Sequence, residues 1–382
     1  MQRFTLHVRM TKHCNANCTF CSSWQELPDN AMKEDDFKKS VDFIAGRLLP
    51  LYGYGRGNNS HCSVQYIGGE ILTVPRMQLH NCVNYARDRL ATVFDTVRDG
   101  VQSNLIGSED RVVGLQTLFG HRIGTSVDTF GDQRKIAGDP EVYRHMLSKS
   151  RAALMRRRKT NPSAVFVLDA QGVKNAAAEA DIAQESNYGL GFRPVFRGGR
   201  SVNAASIGEL VETYVNVFDQ WVLKKSIIIQ PFFQLLASRL ATRSGDSAQL
   251  FSEGGCPFQS KCGALSLNLE PNGDLYICQD MADSDQFCLG NAVRGEFKEG
   301  IWESLCRRSE HLTSECQSCP YRRECEGGCM SEAIHRTGDP YGRTDLCPVW
   351  KSLFSRIDEV IDTHGCDKLR GWLYDLDGAS RD

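Results

Sequence analysis

The 382-residue chain has a mass of 42.7 kDa, material for two or three domains with sizeable cores. Lys and Arg number 45 against 47 Asp and Glu, a net charge of −2 that disfavours a nucleic-acid binder working through counterion release. Sixteen cysteines stand out, and disulfides, metal or cluster ligation and plain burial are three different uses for them.

The first ten residues lack the apolar core and small-residue cleavage site of a signal peptide, and no window approaches the roughly 18–20 apolar residues of a membrane span. The expectation is a cytoplasmic chain with neither membrane nor nucleic-acid partners, where thiols serve metals more often than disulfides. Phe4, Leu6 and Val8 alternate with polar neighbours as in a first strand. A helix is predicted over 34–49, a strand over 63–67 and a helix from Pro75 to about 94. Strands follow over 97–102, 122–127, 164–168 and 190–195, separated by helical stretches of which 140–159 and 207–223 are clearest. Six such βα units make an α/β fold, a partial (β/α)6 TIM-like barrel with its chemistry on loops at the carboxyl ends of the strands.

The cysteines fall into two groups. Cys14, Cys18 and Cys21 follow the first strand, Cys62 and Cys82 are isolated, and eleven more run from Cys256 onward. That asymmetry predicts a second domain organised around its ligands. Three thiolates spaced CX3CX2C on one loop can hold three irons of a cubane and leave the fourth open, while a partial zinc site completed by His13 is the plainer reading. Gly68-Gly69-Glu70 directly follows the second strand.

The cysteine spacing, the aromatic Phe20 before the third cysteine, and the Gly-Gly-Glu loop one strand later resemble the radical S-adenosylmethionine (SAM) enzymes. The resemblance implies a [4Fe-4S] cluster on Cys14, Cys18 and Cys21 with SAM on its open iron. Phe20, Gly68, Gly69 and Glu70 are then cofactor-binding, Glu70 receiving the methionine amino group and the glycines admitting close backbone approach. Ile71 stands where the family usually has Pro. Gln102, Asn104, Ser126 and Asp128, at later strand ends, are candidates for the ribose or methionine carboxylate, and Arg134 for a bidentate pair with that carboxylate. The reduced cluster would cleave SAM to a 5′-deoxyadenosyl radical that takes hydrogen from substrate, the protein supplying placement and exclusion of water.

Toward the C-terminus, Cys262 and Cys278 flank a predicted hairpin, strands 264–269 and 274–277 about the turn Pro271-Asn272-Gly273, and Cys316, Cys319, Cys325, Cys329 and Cys347 follow. Spacing alone also suits a pair of zinc sites. The pattern is similar to the SPASM extension of radical SAM enzymes, with Cys256 where sulfatase-maturing members have a further ligand. The resemblance implies auxiliary cluster I on Cys256, Cys262, Cys278 and Cys329, and auxiliary cluster II on Cys316, Cys319, Cys325 and Cys347, making three [4Fe-4S] clusters with the first. The expected domains are a barrel over 1–225, a helical connector over 226–255, the SPASM domain over 256–348, and a helix and tail over 349–382.

For the substrate, the resemblance favours maturation of a ribosomally made peptide by cross-linking or oxidation, with an external one-electron donor such as flavodoxin or ferredoxin. With the cluster loop starting at Cys14, the expectation is that no leader-binding domain precedes it, so leader recognition would fall to a separate leader-binding protein or to the barrel surface. A small-molecule dehydrogenase or epimerase, on an aminoglycoside or sugar, is the alternative; there Cys288 would quench a substrate radical with its hydrogen. A formylglycine-forming sulfatase maturase is a second alternative. It needs an Asp base directly after the hairpin's second cysteine, where this chain has Gln279, with Asp280 one step on. A simple electron carrier is the contrasting class, with no use for an open cluster site. Cys62, Cys82, Cys306 and Cys366 are expected to be buried or idle thiols.

Overall fold

The computed structural model describes residues 2–23, 31–159, 161–196, 203–245 and 262–379. Cys256 lies outside them. Seven strands run parallel in chain order: β1 (Gln2–Arg9), β2 (Ser60–Ile67), β3 (Thr96–Gln102), β4 (Ile123–Val127), β5 (Ser163–Leu168), β6 (Leu190–Pro194) and the short β7 (Ile229–Gln230). Between them lie α1 (Glu34–Phe43), α2 (Arg76–Leu90), α3 (Glu109–Phe119), α4 (Pro140–Arg158), α5 (Gly172–Glu185) and α6 (Ile207–Trp221). This is the strand–helix alternation expected of an open βα barrel.

Local chemistry sets the helix starts. Asp139 accepts from the amides of Glu141 at 2.8 Å and Val142 at 3.4 Å, with Pro140 at the first helical position of α4. Ser206 and Glu209 form a capping box at α6. Along β1, Phe4, Leu6 and Val8 are buried beneath the helices while Thr5 and His7 face the other way. β2 repeats the alternation, placing Cys62 in the core.

Three features depart from the sequence expectations. The segment 226–255, expected as a helical connector, contains β7 before α7 (Phe232–Arg243). Residues Cys262–Leu265 form a helical turn, so the hairpin's first strand, β8 (Ser266–Leu269), is shorter than expected, and β9 (Asp274–Tyr276) returns. Most consequentially, β8 pairs in parallel with β1, Thr5 to Val8 opposite Ser266 to Leu269. With β10 (Gly290–Asn291) and β11 (Glu296–Phe297), the hairpin therefore extends the barrel sheet into eleven described strands, ordered β11-β10-β9-β8-β1-β2-β3-β4-β5-β6-β7. The cysteine-rich segment shares the barrel's hydrogen-bonding edge instead of building a sheet of its own.

Beyond the sheet come α8 (Gln279–Asp283), α9 (Glu299–Cys306), α10 (Met330–Thr337), α11 (Cys347–His364) and α12 (Cys366–Ala379). Helices α11 and α12 both pack on α6 through aromatics: Tyr214 meets Trp350 of α11 at 5.2 Å between ring centres, and Trp221 meets Trp372 of α12 at 4.7 Å. No described helix is long and apolar enough to cross a membrane.

Candidate active site

The loop Cys14–Cys21 leaves β1 at the carboxyl end of the sheet and is fixed from three sides by other strand ends. From the β3 end, Asn104 Nδ2 donates to Asn15 Oδ1 at 2.8 Å and lies 3.7 Å from Cys14 Sγ, while Asn15 donates to the Ile106 carbonyl at 2.6 Å. From the loop after β4, the carbonyls of Lys135 and Gln133 accept from the amides of Asn17 and Thr19, each at 2.9 Å. Thr19 and Gln133 also pair through their side chains. From α8, Asp283 accepts from the hydroxyls of Ser22 and Ser23, each at 2.7 Å.

The Gly-Gly-Glu loop after β2 packs directly on the segment leading into the cysteines. Gly69 donates to the Thr11 carbonyl at 2.8 Å and Glu70 to the His13 carbonyl at 2.7 Å. A Cβ on Gly69 would lie 2.1 Å from His13 O, and one on Gly68 2.6 Å from Thr11 O. In this structure the glycines are thus required by the cysteine loop's own backbone. Glu70 is buried, and its carboxylate accepts from Leu72 N at 2.9 Å, Ser103 Oγ at 2.6 Å and Asn104 N at 2.6 Å. Burial raises its pKa, and those three bonds oppose the rise. One acceptor position remains on a carboxylate so engaged.

Arg134 lies against the loop. It is buried, Nη1 is 3.8 Å from Cys18 Sγ, and the guanidinium sits 4.8 Å from the Phe20 ring centre. Its Nε is buried without a partner. Asp128 accepts from the amides of Gln133 at 3.0 Å and Arg134 at 3.2 Å, so it shapes the loop that carries Arg134. Gln102 donates to the Thr125 carbonyl at 2.7 Å and to Ser126 Oγ at 3.3 Å. Phe20, Gly68, Gly69, Glu70, Asn104, Asp128 and Arg134 thus all bear on the cysteine loop directly or through one intermediary, while Gln102 and Ser126 pair with each other beside it.

Asp280 and Cys288 make contacts outside the loop itself. Asp280, in α8, faces Arg193 at the end of β6 at 3.5 Å. Cys288 lies 3.5 Å from the Gly290 carbonyl and lines an open groove with Phe287, Lys298, Ile301 and Ile334. Gln279, directly after the hairpin's second cysteine, donates to Ser23 Oγ at 2.9 Å.

The thiols collect as two further sets. Cys329 lies close enough to Cys262 and Cys278 to raise the pKa of both, Cys262 being pushed up to about 12 chiefly by burial. Cys316, Cys319, Cys325 and Cys347 line one cavity with Arg343 and Lys351, and burial pushes Cys325 up to about 12. Cys14 is likewise pushed up to about 12 by burial, with Glu70, Cys18 and Cys21 adding to the effect. Thiols this reluctant to ionise alone become thiolates beside metal cations. Among the described residues no three His, Cys, Asp or Glu side chains converge on a single metal position.

Across solved structures, histidine-tagged anSMEcpe with bound AdoMet superposes with a TM-score of 0.72 at 18% identity, covering 98% of both chains. Streptococcus suis SuiB bound to S-adenosylmethionine gives 0.59 at 14% identity, over 91% of this chain and 77% of that one. The chain has the fold of radical SAM enzymes with a SPASM-type C-terminal domain. No family model matches the sequence. Among curated proteins, the serine-type anaerobic sulfatase-maturating enzyme of Klebsiella aerogenes is 28% identical over 115 residues, 29% of this chain and 27% of that protein. The PqqA peptide cyclase of Streptomyces rochei is 25% identical over 171 residues, 40% of this chain and 47% of that protein. These matches span less than half the length of either relative.

Sequence reasoning missed Ser103, Gln133, Gln279 and Asp283 as supports of the cysteine loop, and Arg9 behind them. Ser103 alone had a signal, sitting between two nominated neighbours at a strand end.

Proposed function

We propose that the chain is a radical SAM maturase that modifies a ribosomally made peptide by cross-linking or oxidation. The observation that carries the reading is the cysteine loop at the carboxyl end of the sheet, braced by the Gly-Gly-Glu turn and facing the buried Arg134. Cys14, Cys18 and Cys21 would hold a [4Fe-4S] cluster, and the C-terminal sets two more. The partnerless Nε of Arg134 and the remaining acceptor position of Glu70 offer complementary contacts to a zwitterionic amino-acid moiety such as the methionine of SAM. Bound there, SAM and the cluster would supply the radical chemistry by which hydrogen is taken from substrate.

The chain's own residues do the rest. Asn104 and Asn15 fix the loop's first cysteine, and Gln133 and Lys135 fix its middle. The Phe20 and Tyr143 rings, 4.8 Å and 6.0 Å from the guanidinium, help keep water from Arg134. A peptide substrate accords with relatives whose structures contain one, anSMEcpe with Kp18Cys peptide and SuiB with precursor peptide SuiA. Formylglycine formation is less supported, because Gln279 is a neutral amide spent on Ser23. The electron donor is proposed to be a separate flavodoxin- or ferredoxin-type protein.

The test is anaerobic reconstitution, with about twelve irons per chain expected for three cubanes. Replacing Cys14, Cys18 and Cys21 together by Ala should abolish 5′-deoxyadenosine formation and leave about eight irons. Retained SAM cleavage in that variant would sink the assignment. Mass spectrometry of a co-expressed peptide should then show a loss of about 2 Da for oxidation or cross-linking.

A further inference from the structure

We propose that Arg9 and Asp283 form a latch through which the C-terminal segment positions the tail of the cysteine loop for SAM binding; this rests on the function proposed above. Arg9 ends β1 with its side chain wholly buried. Its Nη1 donates to Asp283 Oδ1 at 2.6 Å and to Glu270 Oε2 at 3.1 Å, and its Nη2 donates to Ser23 Oγ at 3.2 Å. Lys12 meets the same Glu270 oxygen at 3.1 Å, so two cations face two carboxylates and the buried charges balance.

The other oxygen of Asp283 accepts from both Ser22 and Ser23. Ser23 also accepts from Gln279. With one donation and two acceptances, the Ser23 hydroxyl is fully used and has a single orientation. These contacts sit next in sequence to one cysteine of each group. Ser22 and Ser23 directly follow Cys21, and Gln279 directly follows Cys278. Gln279 and Asp283 are four residues apart on α8, hence on one face, and that face grips the serines.

The consequence is a mechanical connection. Anything that fixes Cys278 fixes the start of α8, and α8 fixes the residues after Cys21. Ser22, Ser23, Asp283 and Arg9 act on the loop through its hydroxyls and backbone, so each is a positioning residue. An adhesive between two segments would need only the Arg9 pairs with Glu270 and Asp283. The two serine hydroxyls add nothing to adhesion that those pairs lack; they orient the loop.

The experiment uses the reconstituted holoenzyme and reads SAM affinity by equilibrium dialysis, with the EPR change of the reduced protein on SAM addition. The Ser22→Ala/Ser23→Ala double variant leaves the Arg9 pairs intact. It should bind SAM at least about tenfold more weakly and show a diminished EPR change with iron content unchanged, while the thermal midpoint falls because Arg9 Nη2, Gln279 Nε2 and Asp283 Oδ2 each lose a partner. Ser22→Thr/Ser23→Thr, which keeps the hydroxyls, should restore both readouts. Cys278→Ser, distant in sequence from the loop, should weaken SAM binding in the same direction. SAM affinity within about twofold of wild type in the double variant overturns the latch. Lost iron in that variant also overturns it, since the serines would then be scaffolding. Wild-type protein that binds no SAM overturns the proposed function and the latch together, whereas normal wild-type binding with an unaffected variant overturns the latch alone.

Discussion

The two cysteine regions are held in opposite ways. At the front, Cys14 to Cys21 span eight residues, and their backbone is set by neighbours from β3, from the loop after β4 and from α8. At the rear, Cys262 to Cys347 are spread along the chain on short helical turns such as Ser314–Gln317 and Arg322–Cys325. There the organising group is Arg308, wholly buried, whose guanidinium donates to the carbonyls of Pro340 at 2.6 Å, Gly328 at 2.8 Å, Gly342 at 2.9 Å, Glu326 at 3.0 Å and Gly327 at 3.3 Å. Those carbonyls include the turn just before Cys329, where Gly327 and Gly328 take φ of +84° and +75°. The front inherits its shape from the barrel; the rear, short on regular structure, is tied together by one cation and by whatever its thiols bind.

The sharpest way to break this contrast is Arg308→Lys. An ammonium cannot reach five carbonyls in a planar fork, so buried acceptors are left unpaired at a cost on the order of 3–5 kcal/mol. Denaturant unfolding should show the loss, and iron should disappear from the rear sites first. If front iron falls in parallel, the regions fold as one unit and the contrast fails.

Gly69→Ala attacks the front. The added methyl would meet the His13 carbonyl at 2.1 Å, backbone against backbone, with no flexible side chain to yield. A cost of about 1–3 kcal/mol is expected, together with loss of SAM binding and retention of rear iron. Unchanged SAM affinity would mean that the Gly-Gly-Glu turn does not set the loop.

How much of this was legible beforehand follows the same division. The barrel alternation, the cysteine loop after β1 and the turn after β2 could be read because each depends on neighbours in sequence: strand period, spacing, and a glycine pair at a strand end. The glycines' actual reason, contact with Thr11 and His13, could not be read, because it depends on how two strand ends meet. The placing of the Arg134 guanidinium 3.8 Å from Cys18 Sγ is not readable in sequence, since it depends on how the loop after β4 meets the cysteine loop. The parallel seating of β8 on β1 was invisible because a local hairpin signal says nothing about which edge the hairpin joins. Arg9 and Asp283 carry no motif at all, and only the closed sheet edge brings them together.

The smallest effect concerns two titrating groups, one from each region, that both feel Arg193. On β1, His7 is lowered from its ordinary 6.5 to about 4, first by burial and then by the charges of Arg193 and Arg9. On α10, Glu332 is raised from 4.5 to about 7, first by burial, with Asp345 and Asp280 adding to the rise and Thr344 and Arg193 opposing it. The signs oppose. Between pH 4 and 6.5 the folded chain binds less proton at His7 than the unfolded chain, so that contribution is lost as pH falls. Between pH 4.5 and 7 it binds more proton at Glu332, so that contribution is lost as pH rises. In the wild type the two slopes largely cancel. Glu332→Gln should expose the histidine slope, with stability rising by about 1 kcal/mol across the acid window once solvent screening is allowed for. His7→Asn should expose the opposite slope, with stability falling toward neutrality. Arg193→Met should raise the His7 pKa and lift that of Glu332 further, moving both transitions upward in pH. Chemical denaturation at a series of pH values reads all three variants. Parallel curves for all of them would show that the front and rear regions do not share an electrostatic environment at Arg193.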